Sequence, residues 1–96
     1  MSPLKINKLR KIRIELDKLD NSLIKIIKKR TNLVKKVLKL KDKKNQIIDQ
    51  KRIAIILKNI RKKSISNKID PKITYRIWKN MIWSYIDYEK RNFKKK

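Results

Sequence analysis

The chain has 96 residues, and 31 Lys or Arg against 8 Asp or Glu give it a formal net charge of +23 at pH 7, with no glycine, cysteine or histidine. That composition excludes disulfides and thiolate chemistry and removes the commonest metal ligand and general base, so neither zinc sites nor hydrolytic triads are expected. With only Pro3 and Pro71 as chain breakers, hairpins have little to build with, and one all-helical domain over residues 1–96 is expected, frayed at 1–6 and 94–96.

The charge by itself decides little. A field this strong attracts any polyanion, and a basic nucleic-acid-binding helical dimer is one reading of it. Yet only Arg10, Arg13, Arg30, Arg52, Arg61, Arg76 and Arg91 are arginine. Lysine and isoleucine dominate the chain and asparagine is plentiful, as in an A+T-rich coding sequence, and no zinc finger, glycine-bearing RNA-binding motif or helix-turn-helix spacing accompanies them. The segment from Met1 to Lys8 lacks the apolar run of a signal peptide. No stretch reaches the 18 or so apolar residues of a membrane span, so a soluble cytoplasmic protein with no membrane partner is expected.

The first helix is predicted from Leu4, or from after Asn7, to about Lys41. Leu9, Ile12, Leu16, Leu19, Leu23, Ile26, Arg30, Leu33, Val37 and Leu40 are spaced alternately three and four apart along it, which makes one stripe facing a partner helix. Arg30 is the one charged member, so it is expected to point into the seam that buries the others. A guanidinium buried there needs a carboxylate from the protein or an anion from outside. Some 35 helical residues span roughly 50 Å, longer than a compact chain of this size is wide. An intertwined homodimer follows as the expectation, with a monomeric three-helix bundle containing a bent first helix as the alternative.

Asp42-Lys43-Lys44-Asn45 reads as a polar break, and a second helix is predicted from about Ile47 to Lys62 with Ile53, Ile56, Leu57 and Ile60 inward. Ser64 to Lys68 reads as a loop. Asp70-Pro71 is a helix start, aspartate as cap and proline in the first turn. The third helix should reach Arg91 or Phe93, presenting Ile77, Trp78, Met81, Ile82, Tyr85 and Tyr88.

Several charged residues border the expected seam. Arg13 and Lys41 share one heptad edge at opposite ends of the first helix, so an antiparallel dimer could bring Arg30 and Lys41 together with a partner's Arg13. Asp49 and Arg52 lie three apart at the start of the second helix, and Glu89 ends the apolar stripe of the third. Each has a plain reading as a solvated edge charge or a structural ion pair. Several cations against at most two carboxylates, however, leave positive charge for a small dianion, and a dicarboxylate fits.

Leu19-Asp20 through Arg30 to Lys41, then Ile48-Asp49-Gln50-Lys51-Arg52, Ile69-Asp70-Pro71, and Ile77-Trp78-Lys79-Asn80-Met81-Ile82 to Ile86-Asp87-Tyr88-Glu89, in this order and spacing, resemble the all-helical chorismate mutases. The resemblance runs from about Leu9 to Phe93. It implies an intertwined homodimer and the rearrangement of chorismate to prephenate in aromatic amino acid biosynthesis, with no metal or cofactor. It further implies that Arg30 and the partner's Arg13 grip the substrate carboxylates and that Lys41 and Glu89 flank the ether oxygen. Asp49 would then hold the ring hydroxyl region, with Arg52 supporting that wall. Ile53 stands where many members have a glutamate, and Tyr85, beside the ring carboxylate, where a small serine is common. Glu89 can donate to the ether oxygen only when protonated, so the apolar stripe around it has to favour that form. The nearest alternative activity is an isochorismate pyruvate-lyase of the same fold.

Overall fold

The computed structural model describes residues 1–94. They form α1 (Pro3–Leu40), a single 3-10 turn (Lys44–Gln46), α2 (Gln50–Ser66) and α3 (Pro71–Asn92), with no strand among the described residues. None of these helices is long and apolar enough to cross a membrane.

α1 starts at Pro3, within one residue of the earlier of the two expected starts, Leu4. The Ser2 hydroxyl accepts from Lys5 N at 3.3 Å and the Ser2 carbonyl from Ile6 N at 2.9 Å, so a capping serine followed by proline draws residues 3–6 into the helix instead of leaving them frayed. At the other end of the chain Lys94 follows α3, and residues 95 and 96 lie outside the described residues.

The described residues group into two compact units, Met1–Leu33 and the part from Val34 onward. The first is helical from Pro3 and buries none of its residues. Ile12, Leu16, Leu19, Leu23 and Ile26 each keep about half or more of their surface. In the second unit Leu33's successors on the stripe, Val37 and Leu40, are also exposed, while the neighbouring row Val34, Leu38 and Lys41 is half-buried. The expectation that the stripe is buried is therefore not met within one chain.

α2 begins at Gln50, three residues later than the apolar pair Ile47-Ile48 suggested. Asp49 is the reason: its carboxylate accepts from Arg52 N at 3.0 Å, the geometry of an N-cap, and fixes the start one residue beyond itself. α2 then runs to Ser66, through the first part of the segment read as a loop. Its end is built from two bonds, Ile69 N to Ser64 O at 2.9 Å and Lys68 N to Ile65 O at 3.1 Å, with Lys68 in the left-handed region at φ 57°. This is a Schellman motif with lysine where glycine usually stands. Asp70 caps α3 as expected, accepting from Lys72 N at 2.9 Å, with Pro71 in the first turn.

α2 and α3 pack against each other, and the Ser64 and Thr74 hydroxyls meet at 2.6 Å beside the link. That contact sets the inward face of α3: Thr74, Trp78, Met81, Ile82, Tyr85 and Ile86 are half-buried or buried, whereas Ile77, 51% exposed, points away. Ile77 sits about 100° round the helix from Trp78 and cannot share its face. Ile53, Ile56, Leu57 and Ile60 of α2 are half-buried as expected. Among the described residues the buried apolar side chains are Ile47 and Ile86.

Candidate active site

The polar segment after α1 folds back because Gln46 stands in for the missing helical carbonyls. Its side-chain Oε1 accepts from Asp42 N at 2.7 Å and from Lys43 N at 2.9 Å. The returning chain buries Ile47 at 3% exposure and brings its carbonyl to 3.4 Å from Lys41 Nζ. From α3, Glu89 reaches the same ammonium, Oε2 to Nζ 2.7 Å, with side-chain exposures of 18% for Lys41 and 8% for Glu89. Glu89 is the buried carboxylate among the described residues. An ammonium has three N–H groups. With two directed at Ile47 and Glu89, the third can donate to a ligand while the first two hold the nitrogen still.

Beside this pair an open cleft of about 620 Å³ is lined by Val37, Leu40, Lys41, Ile48, Asp49 and Gln50, among others. Its volume lies in the range of small-molecule sites. It combines an aliphatic wall with two cations, Lys41 and Lys51, and one carboxylate, Asp49, a composition suited to a small, partly apolar anion.

The structure thus brings Lys41 to Glu89 and places Lys41 and Asp49 on one cleft. Tyr85 is half-buried one helical turn before Glu89 on the same face of α3. Asp49 and Arg52 were expected at the inner face of α2 but are exposed, and they meet through the Arg52 backbone N–H and not through its guanidinium. Ile53, half-buried, follows them. Arg13 and Arg30 belong to the unit Met1–Leu33 and are exposed there, so the expectation that Arg30 is buried in a seam is not met by the chain's own residues. Residue-type reasoning missed the Ile47 carbonyl and the Gln46 amide. A backbone acceptor leaves no mark in a sequence; the only available signal was a glutamine three residues after Lys43, able to reach back to main-chain donors.

A family model described as chorismate mutase type II matches residues 12–90. Comparison with curated proteins and with solved structures gives no match. The matched region holds Arg13, Arg30, Lys41, Asp49, Arg52, Tyr85 and Glu89, together with the turn that carries Gln46 and Ile47. From a match over most of its length, the chain belongs to the chorismate mutase type II family, isomerases that rearrange chorismate to prephenate.

Proposed function

We propose that this isomerase works through Lys41 and Glu89 at the ether oxygen of chorismate, in a site completed by Arg30 of the same chain and Arg13 of the partner subunit. The observation that carries the reading is the 2.7 Å contact between Lys41 Nζ and the buried Glu89, next to an open cleft. The reaction breaks a C–O bond as a C–C bond forms within one molecule, so the protein needs no nucleophile. Its task is to hold a flexible dianion in the compact conformer and to stabilise the negative charge that grows on the ether oxygen. Lys41 donates to that oxygen from a fixed position. Protonated Glu89 donates from the other side, with Lys41 turning its third N–H toward the substrate. Arg30 and the partner's Arg13 take the two carboxylates as guanidinium forks, which a lysine could not match in geometry. Asp49 faces the ring hydroxyl, and Arg52 and Tyr85 form the adjoining wall.

The proposed assembly is an intertwined homodimer in which residues 1–96 act as one catalytic domain. Ile12, Leu16, Leu19, Leu23, Ile26, Leu33, Val37 and Leu40 form an exposed apolar stripe interrupted at Arg30, and a second copy is the occupant whose matching stripe is equally apolar. Each such side chain contributes about 1.5–3 kcal/mol when fully withdrawn from water.

The direct test is the loss of chorismate absorbance on adding the purified chain, with products identified. Prephenate from chorismate, with no pyruvate, is the expected outcome; release of pyruvate from isochorismate without prephenate formation would establish the lyase instead.

A further inference from the structure

A second cleft lies between α2 and α3, lined by Leu57, Lys58, Arg61, Pro71, Lys72 and Tyr75, with a volume of about 480 Å³. It adjoins another, of about 540 Å³, that shares Lys72 and Tyr75 and adds Arg76, Lys79 and Asn80. No residue here belongs to the α1 stripe or to the cleft at Lys41. Three features set this place apart from a merely lysine-rich surface. Its first cleft is mostly apolar, with Leu57, Pro71 and the Tyr75 ring contributing to the lining. Tyr75 is 47% exposed, and Lys79 Nζ stands 5.6 Å from its ring centroid, a cation–π contact that holds the ring in place. Five cations, Lys58, Arg61, Lys72, Arg76 and Lys79, line the two clefts with no carboxylate among them. The closest acid in sequence, Asp70, is committed to capping α3.

An apolar cleft beside a held aromatic ring suits a flat ring that can stack, and unneutralised ammonium and guanidinium groups around it suit several negative charges attached to that ring. We propose that the Tyr75 cleft binds a nucleotide, its base against Tyr75 and its phosphates among Arg61, Lys72 and Arg76. A bare polyanion would leave the apolar surface unused, and a neutral aromatic would leave the cations unpaired. A nucleotide of two or three phosphates satisfies both halves.

Calorimetric titration of the full chain at near-physiological salt, with ATP, inorganic tripolyphosphate and a single-stranded oligonucleotide as probes, tests this. Saturable binding of one ATP per chain is expected, about tenfold tighter than tripolyphosphate, the gain that stacking one base provides. Tyr75→Ala should weaken ATP about tenfold and leave tripolyphosphate unchanged, and Arg61→Ala with Arg76→Ala should weaken both. Lys41→Ala should leave ATP binding intact, which separates this site from the catalytic cleft whether or not that cleft works as proposed. Equal affinity for ATP and tripolyphosphate with no effect of Tyr75→Ala would reduce the cleft to general charge attraction and overturn the proposal. So would loss of ATP binding in Lys41→Ala, an absence of saturation, or much tighter, steeply salt-dependent binding of the oligonucleotide.

Discussion

Glu89 is 6% exposed and meets Lys41 Nζ at 2.7 Å, so the two roles open to it, structural partner and proton-bearing donor, make different demands. As a carboxylate it can only accept. To donate to the ether oxygen it must carry a proton. Glu89→Gln, whose amide donates without one, should therefore keep turnover, whereas Glu89→Ala should lose it. A Gln variant as impaired as the Ala variant would mean that Glu89 serves only as the charged partner that holds Lys41. Arg30 offers a cleaner separation because it is exposed in the chain and supports no internal packing. Arg30→Ala should cost at least about 3 kcal/mol of transition-state stabilisation, on the order of a hundredfold or more in kcat/KM. A variant that keeps turnover and loses only melting temperature would make Arg30 part of a structural bridge.

The elements owe their limits to a few capping contacts, and the least favourable of them is at Lys68. With φ at 57° it occupies the left-handed position of the Schellman turn that ends α2, in a chain with no glycine to place there. A residue with a Cβ pays about 1 kcal/mol for that conformation. Lys68→Gly should therefore raise the unfolding free energy by about 1 kcal/mol in a denaturant titration, with the slope unchanged; no gain would mean the turn tolerates the side chain without strain.

Much at this scale was legible in the sequence. The unbroken 3–4 pattern gave α1, and Asp70-Pro71 gave the start of α3. The start of α2 was misplaced because Ile47 and Ile48 continue a helical apolar pattern, while the boundary is set by one hydrogen bond at Asp49. Ile77 was misassigned for a related reason: its apolarity fits either face, and the Ser64–Thr74 contact chose the other. In the candidate site, Lys41 and Glu89 were legible through the order of family-like segments, not through any single motif. The Ile47 carbonyl that steadies Lys41 was not legible, because every residue has one.

At the scale of the whole molecule the apolar stripe of α1 is the central feature. Leu19 at 65% exposure and Leu33 at 59% are too apolar to be left in water along so long a helix, yet within the chain it is the neighbouring row Val34, Leu38 and Lys41 that is half-buried. In the proposed homodimer a second copy would cover the stripe and would also carry an arginine into each site, since Arg13 and Lys41 lie at opposite ends of their shared heptad edge. The strong positive field suits capture of a dianion but also makes like-charged chains repel, so salt should favour assembly while it slows substrate capture.

Mixing two inactive variants, refolded together, tests most directly whether each site draws on both chains. Arg13→Ala removes the residue given away and Lys41→Ala the residue kept, so a mixed dimer contains one site with both intact. An equimolar mixture should recover about a quarter of wild-type activity, since half the dimers are mixed and each has one of its two sites whole. A mixture no more active than the average of the two variants alone would mean that Arg13 serves its own chain or none, and the shared site would have to be abandoned.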